Sequence, residues 1–105
     1  MRYAIPLMAA FTSAIASVSL AADAAVLFKQ QCASCHGETG KADTAPGKAL
    51  KVPALAGDAK VAAMADADVV AKIKSNDRHA AALKKVTDAD IPALATYVKG
   101  LAAGK

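Results

Sequence analysis

The sequence predicts an all-α domain of three to four short helices. Apolar residues recur at three- and four-residue spacing in separate stretches, whereas no stretch alternates apolar with polar at the two-residue period of a half-buried strand. Alanine, the best helix former, is abundant in a chain of 105 residues that is 55% apolar. No internal repeat or low-complexity tract competes with this reading.

Residues 1–24 stand apart from the rest. Arg2 is followed by an apolar run from Ala4 to Leu20 and then by small residues that offer cleavage after Ala21 or Ala24. This is the anatomy of a signal peptide, so residues 25–105 are expected as the mature domain, periplasmic or otherwise exported. The run is interrupted by Pro6, Thr12, Ser13, Ser17 and Ser19 and falls short of the ~20 strongly apolar residues a span needs, so no membrane span is expected once the leader is gone.

The domain's helices follow in order. Ala24 to Gln31 reads as a helix with Leu27 and Phe28 on its inner side, and a continuation to Cys32 would place Phe28 and Cys32 on one face, one turn apart. Gly37 to Pro53 contains Gly37, Gly40, Pro46, Gly47 and Pro53 without a sustained period, and is expected as a loop. Helical signal returns weakly over Ala59 to Met64, and clearly after Asp66, a candidate N-cap, with Val69, Val70 and Ile73 in register. Ser75, Asn76 and Asp77 end that helix and leave Arg78 and His79 in a connecting loop. Thr87-Asp88-Ala89-Asp90 resembles a capping box with Asp in place of Glu. The last helix, with Ile91, Leu94, Val98 and Leu101 on one stripe, is expected from Asp90, with Pro92 tolerated in its first turn and Tyr97 beside the stripe, able to cross Phe28.

Phe28 and Tyr97 are the only aromatic residues downstream of the leader, and alanine fills little volume. A domain this small needs a staple. Two cysteines three positions apart close almost no loop as a disulfide, so a bound cofactor is the natural candidate. The formal charge of +4 is weakly basic, and no aromatic residues interleave with the lysines, so nucleic acid is not an expected partner.

Cys32-Ala33-Ser34-Cys35-His36 fits C-x-x-C-H, the attachment signature of haem c. Two thiols at this spacing can each form a thioether with one vinyl group of the same porphyrin edge, and the adjacent His36 is carried under the ring to bind iron. A thioredoxin-like C-x-x-C would need a βαβ context, and a zinc site would need further ligands. For the second axial position the candidates are His79 and Met64. Ligand type and loop placement favour His79, while Met64 next to Asp66 also reads as a staple packed on its own helix.

These residues resemble the class I cytochromes c over nearly the whole domain. The resemblance is carried by Phe28 leading into CASCHG, by Val52-Pro53-Ala54-Leu55-Ala56-Gly57, by the helix from Asp66 to Ser75, and by the terminal helix from Thr87 to Val98. It implies a cytochrome c fold in which the first and last helices cross and the Gly37 to Pro53 loop wraps one haem edge. It also implies a Pro53 carbonyl that accepts the hydrogen bond of His36, and one-electron transfer with redox partner proteins. The family's axial methionine falls in the loop before the last helix, where this sequence has His79; the resemblance therefore implies bis-histidine ligation and a lower potential than that of His/Met relatives. The competing expectation is a protein whose iron binds or senses a small ligand, with Arg78 the polar residue nearest to serve it, or a cytochrome subunit of a larger oxidoreductase.

Overall fold

The computed structural model describes residues 20–105; the expected leader lies outside the described residues up to residue 19. Helix α1 spans Leu20–Gln31, one turn earlier than the expected start at Ala24. Leu20, Ala21 and Ala22 are good helix formers with no breaker before Ala24, and Asp23 in the first turn and Lys29 in the last complement the helix dipole. Ala24 is fully buried and Phe28 is 1% exposed, so the i, i+4 stripe faces the core. The Cys32 N–H donates to the Phe28 carbonyl at 2.8 Å, which carries the helical path as far as the first cysteine, as expected. Helix α2, Ala33–His36, follows directly.

The segment expected to be a loop from Gly37 to Pro53 contains a short helix, α3 (Ala45–Ala49). Its start is encoded by Thr44, whose hydroxyl accepts from the Gly47 N–H at 3.0 Å, and by Pro46 in the first turn; five residues are too few to display a period. The Thr44 hydroxyl also donates to the Ser34 carbonyl at 2.6 Å and so fastens α3 to α2. Gly47 makes this approach possible, because a Cβ there would strike the Cys35 carbonyl oxygen.

Asp58 caps helix α4 (Ala59–Ala63), accepting from the N–H groups of Lys60 at 3.0 Å and Val61 at 3.3 Å. Helix α5 spans Asp66–Ser75. Its N-cap is Ala65, without a side-chain bond, rather than Asp66; the Asp66 carboxylate instead meets the Lys99 ammonium at 2.7 Å. That pair is solvent-exposed and contributes under about 1 kcal/mol. The connecting segment is also helical: a 3₁₀ turn, Asp77–His79, runs into α6, Ala80–Leu83. Asn76, read from sequence as a breaker, starts the turn by accepting the Arg78 N–H on its side chain at 3.0 Å.

Helix α7 spans Asp90–Ala102, with the start expected from sequence. The capping box forms: the Thr87 N–H donates to Asp90 Oδ2 at 2.9 Å, and the Asp90 N–H donates to Thr87 Oγ1 at 3.3 Å. Pro92 sits in the first turn, where a missing donor leaves no intrahelical bond unmade. Ile91, Leu94 and Val98 are buried, and Leu101 packs against the core. α7 lies against α1, α4 and α5, and the core collects Ala24 and Phe28 from α1, Val69 from α5 and Leu94, Ala95 and Val98 from α7. Among the described residues there are seven α-helices and one 3₁₀ turn and no strand, more elements than expected. Only α1, α5 and α7 exceed five residues.

Two glycines should respond oppositely to alanine. Gly47→Ala should lower stability by about 1–3 kcal/mol through the collision with the Cys35 carbonyl. Gly100→Ala, inside α7 with open space around its Cβ position, should raise it by roughly 0.5–1 kcal/mol; thermal melts of both variants check the pair. Hydrogen bonding from the Thr87 backbone N–H, and then from the Thr87 side chain, holds the Asp90 carboxyl below the usual carboxylate range. The unfolded chain therefore binds the proton first, and the contribution of Asp90 is present above the ordinary carboxylate value and lost as pH falls through the depressed one. Acid unfolding of Asp90→Asn against the parent chain should show the parent's advantage at neutral pH shrinking at the acid end.

Candidate functional site

The helices enclose a mainly apolar cavity of about 440 Å³, within the range of ligand and cofactor sites. Phe28, Val69, Leu94 and Val98 supply its buried walls, and Leu50, Val52, Pro53 and Leu55 come from the segment after α3. Every site residue expected from sequence lines it: Phe28, Cys32, Cys35, His36, Pro53, Met64 and His79.

The C-x-x-C-H residues are placed by α1 and α2. Both cysteines are free and half-buried. Burial, and secondarily Cys35, push the Cys32 thiol up. A dithiol redox motif activates its cysteine by the opposite shift, so this environment suits a thiol consumed in a permanent bond better than a reactive thiolate. His36 follows on α2, with its ring centre 6.2 Å from that of Phe28. Burial, and then the neighbouring His79, lower its pKa and favour the neutral imidazole, the form that ligates metal.

His79 reaches the cavity from the end of the 3₁₀ turn, its ring centre 6.1 Å from that of His36. Its Nδ1 lies 2.7 Å from the Ile73 carbonyl of α5. A carbonyl can only accept, so Nδ1 carries the proton and Nε2 keeps its lone pair free for a metal. Met64, the C-cap of α4, also lines the cavity and packs against the core.

The hydrogen bond expected from Pro53 to His36 is not formed. Nδ1 of His36 is buried without a partner. Val52 N–H donates to the Gly47 carbonyl at 2.9 Å and Leu55 N–H to the Gly40 carbonyl at 2.7 Å; pinned on both sides, Pro53 stays on the cavity rim. Sequence reasoning missed two supports. The Ile73 carbonyl that orients His79 is backbone and carries no residue signature, and the Arg78 guanidinium, read as a polar group for the iron's open side, donates to the Leu50 carbonyl at 2.9 Å across the cavity mouth.

This donor set fits haem. Among the described residues no group of three or more His, Cys, Asp or Glu could hold a metal ion unaided. Two histidines facing one apolar cavity beside two free thiols suit an iron whose remaining ligands come from a porphyrin.

A family model described as "Cytochrome C oxidase, cbb3-type, subunit III" matches residues 19–98. Neither the curated proteins nor the solved structures gave a match. Since the match covers most of the chain, the protein belongs to this family: it is a c-type cytochrome domain that carries a covalently attached, iron-containing haem c and serves electron transfer.

Proposed function

We propose that the protein is an exported one-electron carrier of low potential, its iron held between His36 and His79. The observation that carries this reading is the 6.1 Å between the two imidazole centres. Two imidazoles sharing one metal ion through bonds of about 2 Å each have ring centres about 6 Å apart. Cys32 and Cys35 would hold the porphyrin covalently, which when bound supplies the exchange of one electron at iron.

The protein's own groups then act as a fixed frame. His36 and His79 would both hold the iron, leaving no open position on it for a substrate. The Ile73 carbonyl holds the Nδ1 proton of His79, orients the ring and raises the basicity of Nε2. Phe28, Val69, Leu94 and Val98 line the cavity with buried apolar side chains that would exclude water from the bound group. Nitrogen ligation by both histidines, without the thioether that raises potential in His/Met cytochromes, would give the low value. Export is supported by the leader-like residues 1–24 and by the chemistry of thioether attachment. Among the described residues no helix is long and apolar enough to cross a membrane. The family's description supports a second reading, in which the domain works as a subunit of a larger oxidoreductase; a stable assembly that co-purifies with the native protein would favour it over a free carrier.

Near-infrared magnetic circular dichroism of the ferric protein should show a bis-imidazole charge-transfer band. A thioether band would move the role to Met64, and a high-spin spectrum would point to small-ligand binding. His79→Ala should speed carbon monoxide binding to the ferrous protein on the order of 100-fold, if the bound ligand is absent in about 1% of molecules at any moment. Met64→Leu should leave both spectrum and rate nearly unchanged; the reverse pattern overturns the assignment. His79→Met should raise the midpoint potential, measured by redox titration.

A further inference from the structure

We propose that processing hydrolyses the Ala21–Ala22 peptide bond, so that the exported protein begins at Ala22 and not at Ala25; this rests on the export reading above. A signal peptidase needs small side chains at the residue before the bond and two residues further back. Two bonds that follow an alanine meet that need near the end of the leader: the one after Ala21, with Ser19 behind it, and the one after Ala24, with Ala22 behind it. Sequence does not separate them, but the fold does.

Ala24 has no exposed surface and belongs to the core cluster with Phe28, Leu94, Ala95 and Val98. A cut after Ala24 would remove this residue from the contact between α1 and α7 and delete Asp23, the acidic residue of the first turn. It would also shorten α1 to the seven residues from Ala25 to Gln31 and place a new ammonium one turn before buried Phe28, at the positive end of a helix dipole. A cut after Ala21 keeps Ala24 in the core and leaves Asp23 beside the new ammonium. In the reaction one water is consumed, the carboxylate stays on Ala21 of the released leader, and the amine appears on Ala22. Residues 20–22 are helical in the folded domain, so the bond is cut before α1 forms.

The test is the intact mass and N-terminal sequence of the haem protein purified after expression of the whole chain from Met1 in a bacterium that exports and matures such proteins. A chain starting at Ala22 is expected, with Ala21→Phe accumulating as unprocessed precursor. A start at Ala25, or at any other residue, overturns the assignment of the bond. Accumulation of the parent chain inside the cell, with Met1 retained and without haem, overturns the export reading itself, so the two failures are distinguishable. Chains made to begin at Ala22 and at Ala25 provide a second measurement. The shorter is expected to melt about 4–8 °C lower or to lose haem incorporation, and equal melting overturns the structural argument.

Discussion

Phe28 packs its ring 5.2 Å from Tyr97 and 6.2 Å from His36, centre to centre, and is the only large side chain among the described residues that is fully buried. One residue thereby joins the first helix, the last helix and the motif that follows the first. Around it three of the buried positions are alanines: Ala24, Ala33 and Ala95 bring backbones close but supply little apolar area beside Val69, Leu94 and Val98. The helices cross tightly on one side of Phe28 and leave a cavity on the other. A chain built this way cannot close its own interior, and the porphyrin supplies the volume its side chains lack.

The long helices were legible because each displays more than two turns of apolar period. α7 was readable to its first residue, because Thr87 and Asp90 announce the start and Pro92 confines it. The single-turn elements were not. α3, the 3₁₀ turn and α6 are too short for periodicity, and their evidence lies in local caps at Thr44 and Asn76 that also suit loops. A residue such as Asn76 ends one helix and begins the next turn, and composition reports only the interruption. The misplacement of the α5 cap has a similar origin: Asp66 suits an N-cap, but Lys99 is distant in sequence and recruits it from the first helical position.

The candidate site residues could be named from sequence because covalent chemistry demands particular residue types at fixed spacing. Cys32, Cys35 and His36 follow from that demand, and all residues named for the site converge on one cavity. The groups that hold the ligands were less accessible to sequence. The Pro53 carbonyl does not reach His36, since the backbone on either side is committed to Gly47 and Gly40, while the carbonyl that orients His79 belongs to Ile73, whose side chain says nothing of it.

That Ile73 carbonyl lies in the last turn of α5, where helix geometry leaves oxygens without an intrahelical donor. The imidazole of His79 meets this need from six residues further along, so the proposed iron ligand also serves as the terminal cap of the helix beside it. Methionine has no proton to give. With His79 as the proposed ligand, its exchange for methionine would raise the potential and remove this donor from the helix end, which would tie redox tuning to fold integrity at one side chain. Drift toward the common ligand would then require a second substitution able to supply the lost donor.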